Sequence, residues 1–215
     1  MMNDAFFEQL GVCDNDQEIL LKFIKLIAPT TDEGAFTHAL DSQFGGIMGL
    51  FAASYTKLAR NNAVGENLAA IIKYTHLILM RTMKMKIRNR DLISNISQLN
   101  EYLLFRNHSY PLERLEIFLM NSKNFLLKEE IVSSGTTNGI LFHPTSIIKH
   151  IVDNNASSFI LVHNHPSGDP SPSPKDIRQT RELNNICRML SITFHDHIIV
   201  GDSITYSMRL HGIIE

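Results

Sequence analysis

Cysteine is nearly missing from this chain: 2 in 215 residues, Cys13 and Cys187. Two are too few for a disulfide framework, and neither has a cysteine partner at metal-binding spacing. Both are expected as reduced core thiols of a cytoplasmic protein. An excess of charge of one sign is also missing. Twenty basic against 22 acidic side chains leave a net charge of −2, so no global field draws the chain toward nucleic acid. The start, Met1 to Glu8, lacks a basic stretch followed by an apolar one and does not read as a signal peptide. The best apolar window, Leu68 to Met80, is broken by Lys73 and His76 and is too short to span a bilayer, so no membrane partner is expected. There is no internal repeat and no low-complexity tract. What is present is a hydrophobic share of 44%, enough for a packed core in one large domain or two small ones.

The chemistry concentrates in one stretch, Leu161 to Asp176. The apolar run Phe159 to Val162 reads as a buried strand. On a strand, residues i and i+2 share a face, so His163 and His165 project together. Pro166, Gly168, Pro170 and Pro172 then turn the chain. Ser173 and Pro174 open a helix, with proline at the first helical position, and bring Asp176 back toward the imidazoles. Two histidines and one carboxylate make three protein ligands, and a catalytic zinc site leaves its fourth position to water. Zinc is the expected cofactor, although two nitrogens and an oxygen do not select zinc alone.

The residues also admit plainer readings. Ten histidines in a chain of this length produce about 0.5 His-x-His pairs by chance, and there is a second pair, His195-Asp196-His197. That one runs into Ile198-Ile199-Val200 and a Gly201-Asp202 turn, an ordinary strand ending. Ser173-x-x-Asp176 is equally a helix capping box. The full order, His-x-His, a proline- and glycine-rich spacer, then Ser-x-x-Asp, resembles the JAMM motif of the JAB/MPN-type metallopeptidases. The string His163-Asn164-His165-Pro166-Ser167-Gly168-Asp169-Pro170 is similar to the RadC branch of that group. Ser134-Gly135-Thr136, His143-Pro144 and Asp196 to Asp202 extend the resemblance over about residues 111 to 215, while the first hundred residues match loosely. After His143-Pro144 this chain has Thr145-Ser146 where the branch usually continues Arg-Glu, so a charged contact near the site is missing.

The resemblance implies amide hydrolysis by a water on zinc, with His163, His165 and Asp176 as metal ligands. It also implies a glutamate base at the start of the first sheet strand. By its spacing to the Asn121 turn, Glu113 matches that position; Glu116 is the fallback, and Glu129 and Glu130 on the second strand are weaker candidates. Such a base takes the water's proton and passes it to the leaving amine. Ser173 is the matching oxyanion donor, a role compatible with capping. His143 reads as structural. Asp196 is read either as orienting an imidazole from behind or as a core ion-pair partner.

The rest of the chain gives the fold. Ile19, Leu20, Phe23, Ile24 and Ile27 form a helical stripe that Pro29 ends, and 36–40, 47–58 and 67–80 continue in that style. Residues 1–90 are expected as an all-α domain, 91–110 as a connector, and 111–215 as a JAB/MPN-type domain, a mixed sheet flanked by helices. The class is α+β. In the last half, strands at 115–120, 126–133, 193–200 and 205–208 and helices at 145–155 and 175–190 are expected. The short turn Ala63-Val64-Gly65 suggests a helix-hairpin-helix, a device that offers backbone amides to DNA phosphate, although only one of the usual two glycines is present. Arg81 to Arg90 carries five bases and no acid. It can meet a phosphate backbone or form a solvated helix end. The main reading is therefore a zinc metallopeptidase or isopeptidase acting on an unnamed peptide or isopeptide. The alternative is a DNA-associated accessory protein that uses its helical half. A third reading, an inactive interaction domain, predicts lost ligands, and all three are present.

Overall fold

The computed structural model describes residues 15–88, 90–107, 112–135 and 142–214. Cys13, Thr136 and the stretch Met1 to Glu8, named above, lie outside them. The chain forms two compact units, Met1–Ile78 and Leu79–Glu215.

The first unit is helical. Helix α1 (Asp16–Ile27) starts at Asn15, whose side chain accepts from the amides of Gln17 and Glu18. It buries Leu20 and Ile24 and stops before Pro29, because the residue before a proline is pushed out of the helical region. Helix α2 (Glu33–Ala39) is capped by Asp32 and runs into one wide turn, Leu40–Phe44, closed by Gly45 at φ 68°. The stretch expected as one helix over 47–58 is two, α3 (Ile47–Ala52) and α4 (Tyr55–Ala59). Ser54 breaks it by leaving the helical region and capping α4 through the Lys57 amide. Helix α5 (Gly65–Ile87) begins in this unit and is longer than expected; it takes in the first part of the basic run. Phe36, Leu40, Leu50, Leu58, Leu68 and Ile72 close the core.

The second unit is a five-stranded mixed sheet in the order β2-β1-β3-β4-β5. Its strands are β1 (Arg114–Met120), β2 (Leu126–Ser134), β3 (Ser158–Asn164), β4 (Thr193–Val200) and β5 (Thr205–Ser207). Only β3 and β4 pair in parallel. Every residue of β3 is buried, as expected of a central strand covered on both faces. Period-2 alternation divides the side chains. Leu115, Ile117, Leu119, Phe159, Leu161 and Ile199 face helices α7 (Pro144–Asp153) and α8 (Pro174–Met189). Phe118, Met120, Ile160, Val162, Ile198 and Val200 face helix α6 (Ile96–Asn107).

That last helix differs from the sequence reading. The stretch 91–110, read as a connector, contains α6, which buries Leu99, Tyr102 and Leu103 on the sheet. Three apolar positions amid Ser, Gln, Asn and Glu make a narrow stripe, which suffices because the sheet supplies the rest of the core. Helix α8 also departs from the apolar stripe Leu183, Ile186, Cys187 and Leu190 that its helical spacing predicts. Asp176, Thr180, Leu183, Asn184 and Cys187 are buried, whereas Leu190 is exposed. The buried face thus includes three polar residues. Cys187 is a free thiol, and burial pushes it up to about 11.

Candidate metal centre

Strand parity builds the centre. His163 is the penultimate residue of β3 and pairs in register with Leu115 of β1. Both belong to the face covered by α7 and α8, so Glu113, two residues before Leu115, lies on that face as well. His165 follows directly after β3, its amide donating to the Val200 carbonyl at 3.0 Å. The loop from Pro166 to Ser173 then returns the chain to α8. It passes so close to the β4–β5 turn that a Cβ at Gly168 would collide with the Asp202 carboxylate, and one at Gly201 with the Gly168 carbonyl. Gly168 also has φ 86°, a left-handed conformation that favours glycine.

The side chains converge. Glu113, His163 and His165 each offer a ligand atom, all within 4.8 Å of one another. Asp176 approaches from α8, with Oδ1 at 3.7 Å from His163 Nδ1 and Oδ2 at 3.9 Å from His165 Nε2. The two imidazoles stand edge to face, centroids 4.7 Å apart. His165 Nδ1 lies 2.8 Å from the Asp169 carbonyl. A carbonyl only accepts, so Nδ1 carries a proton, and Nε2, which faces Asp176, is the ring atom left to act as a ligand. Glu113 Oε2 and His163 Nε2 are buried and have no hydrogen-bond partner among the described residues. Buried polar atoms are seldom left so.

The electrostatics keep the His163 imidazole neutral. Burial lowers His163 to about 4, against the opposing pull of the Asp176 charge. Burial also works against the Asp176 charge, but hydrogen bonds from Ser173 oppose it, and its carboxyl stays below the usual range. A neutral imidazole beside an ionised carboxylate is the protonation state that metal ligands need.

Ser173 and Asp176 form a complete capping box: Asp176 N donates to Ser173 Oγ, and Ser173 N donates to Asp176 Oδ2. Ser173 Oγ also donates to Asp176 Oδ2 at 2.5 Å. The single hydroxyl proton is therefore directed at Asp176 here, so oxyanion donation by Ser173 requires the hydroxyl to rotate. The fallback base is elsewhere. Glu116 points to the α6 face, where Arg106 Nη2 binds its Oε2 at 2.5 Å. Glu129 also pairs with Arg106, and Glu130 with His150 and Lys128. None of the three is in the cluster.

Two residues passed over in the sequence stand beside the site. His197 is 1% exposed, and its ring lies 6.0 Å from that of His163, nearly parallel to it. Its Nδ1 is 2.7 Å from Thr180 Oγ1 of α8. Burial lowers it to about 3. His195 and Asp196 point away from it. His195 Nε2 contacts Asn124 Oδ1. Asp196 accepts from the His197 and Arg209 amides and from Ser207 Oγ, so it pins β5 and the following turn rather than orienting an imidazole. The signal for His197 was its parity with Ile199 on β4, which becomes informative only once β4 is known to lie beside β3.

A five-stranded mixed sheet covered by helices, with a His/His/carboxylate cluster at the end of its central strand, marks a JAB-type domain. Comparison with known proteins agrees: the model of the RadC-like JAB domain family matches residues 93–213. A UPF0758 protein of Ruegeria pomeroyi is 31% identical over 199 residues, covering 93% of this chain and 89% of that protein. A UPF0758 protein of Rhodobacter capsulatus is 28% identical over 214 residues, covering 100% of both. The chain belongs to the RadC-like JAB family.

Proposed function

We propose that the chain is a zinc-dependent hydrolase of amide bonds, of the metallopeptidase or isopeptidase type. The observation that carries this reading is the convergence of Glu113, His163, His165 and Asp176, with a carboxylate oxygen and an imidazole nitrogen buried there without partners among the described residues. The residues fit the ion. His163, His165 and Asp176 would hold it with two neutral nitrogens and one ionised oxygen, a donor set that suits zinc and leaves a position open. When bound, zinc supplies Lewis acidity, lowering the pKa of a water in the open position toward 7 and polarising a substrate carbonyl.

This chain's own residues supply the rest. Ser173 anchors Asp176 through its amide and hydroxyl, so the ligand is held from behind. Glu113 is the base: its Oε2, buried and without a partner among the described residues, takes the water's proton and delivers it to the amine as the C–N bond breaks. Burial keeps His163 ready to bind as a neutral donor. The test is hydrolysis of quenched fluorescent peptides and of Lys-linked isopeptides by zinc-loaded protein beside Glu113→Gln. The expected result is turnover that falls about 10²–10⁴-fold in the variant. Equal rates in the two proteins would remove Glu113 from the chemistry. No hydrolysis across both substrate classes would favour DNA association through the helical unit, whose Asn61–Gly65 turn joins α4 to α5 with Gly65 at φ 70°.

A further inference from the structure

We propose that Asn164 is the positioning residue of Glu113, an assignment that rests on the hydrolase reading above. Asn164 lies between the two imidazoles in sequence, but strand alternation sends its side chain to the opposite face of the sheet. There it is 5% exposed. Its Nδ2 donates to the Leu112 carbonyl at 3.1 Å. The acceptor is a carbonyl, so the amide group must present its nitrogen, and the orientation of the side chain is set.

What this bond holds follows from the register. The β1–β3 ladder starts at Arg114, opposite Asn164. Glu113 lies one residue outside it, where strand ends fray. Two hydrogen bonds flank Glu113 instead. The Leu112 carbonyl before it takes the Asn164 side chain, and its own carbonyl takes the Gly135 amide at 3.0 Å. The backbone of residue 164 carries His163 and His165, while its side chain grips the peptide that leads into Glu113. One residue thus sets the base against both imidazoles. An aspartate of the same shape lacks the donor and cannot replace it. Behind it, Asn107 Nδ2 donates to the Gly201 carbonyl at 2.9 Å. Asn107 and Asn164, whose side-chain oxygens are buried without partners among the described residues, line a cavity of about 10 Å³, about the least that holds one water.

The test uses cobalt(II) as the probe in the full chain, with wild type, Glu113→Gln, Asn164→Asp, Asn164→Ala and Asn164→Ala/Glu113→Gln. Cobalt affinity is read by competition with a chromophoric chelator, and the pH midpoint of the visible cobalt spectrum reports the surroundings of the ion. In the Asn164 variants, affinity should fall less than the roughly 10–100-fold that follows loss of a ligand's own outer partner. The spectral midpoint should move in the direction that Glu113→Gln moves it, and Asn164→Ala should add nothing once Glu113 is gone. A wild-type midpoint in both single Asn164 variants overturns the assignment while leaving the metal site intact. So does a shift that adds fully to that of Glu113→Gln. No cobalt binding by wild type overturns the hydrolase reading and the assignment with it.

Discussion

Removing the proton site of His197 should flatten the acid-side stability curve of the metal-free protein. His163 and His197 are both buried and neutral, lowered by burial to about 4 and about 3 from an ordinary 6.5. The folded state therefore binds fewer protons than the unfolded chain. Stability is complete above pH 6.5 and is lost as pH falls from there toward the folded values. Each such imidazole contributes a slope of about 1.4 kcal/mol per pH unit once well below 6.5, so between pH 6.5 and 4.5 one group takes away at most about 2.7 kcal/mol. His76 and His195, lowered by burial too, steepen the wild-type curve. The informative quantity is thus the difference between wild type and His197→Asn, which keeps a hydrogen-bonding atom for Thr180 but cannot titrate. The lowered carboxyls, Asp176 included, titrate mainly below this window. Urea unfolding in chelator at pH 7.5, 6.5, 5.5 and 4.5 reads both slopes. Wild type should lose stability faster than His197→Asn by about one proton's worth. Identical slopes would show that His197 accepts a proton in the folded state and would refute the claim that its burial keeps it neutral.

Ser173→Ala should lower unfolding stability by about 1 kcal/mol, the loss of a helix cap, and should weaken zinc about 10–100-fold in a chelator competition, since Asp176 loses the group that orients it. Gly168→Ala should lower the melting temperature, because a Cβ there meets the Asp202 carboxylate at φ 86°; Gly168→Ala/Asp202→Ala should recover the steric part of the loss but not the backbone part. Leu103→Ala should destabilise by about 2–5 kcal/mol in urea unfolding, because the side chain is 1% exposed against the sheet. An effect under 0.5 kcal/mol would mean that α6 is the loose connector its sequence suggested.

The parts of this molecule that were legible beforehand are those in which one local rule decides. The strand at 193–200 appears with those bounds, since an unbroken apolar ending meets a Gly-Asp turn. Alternation puts His163 and His165 on one face, and a Ser-Pro start marks α8. What was illegible depended on pairing. Glu113 and Glu116 are three apart and so face opposite ways, but the choice between them needs the β1–β3 register. His197 needed the parallel pairing of β4 with β3, which no local pattern announces. Helix α6 hid because Leu99, Tyr102 and Leu103 make a stripe that is persuasive only once Phe118 and Ile160 are found opposite it. Thr180 and Asn184 are buried on α8 although nothing in the local pattern marks them, and the role of Thr180 shows only where His197 is found against it.

The most direct measurement is the metal content of purified protein, by elemental analysis, for wild type, His163→Ala and Asp176→Ala, each with its melting temperature. The account predicts about one zinc per chain in wild type, lost in both variants while they remain folded. Folded wild-type protein that takes up no zinc even after loading, or variants that keep it, would contradict the claim that these residues form a metal centre.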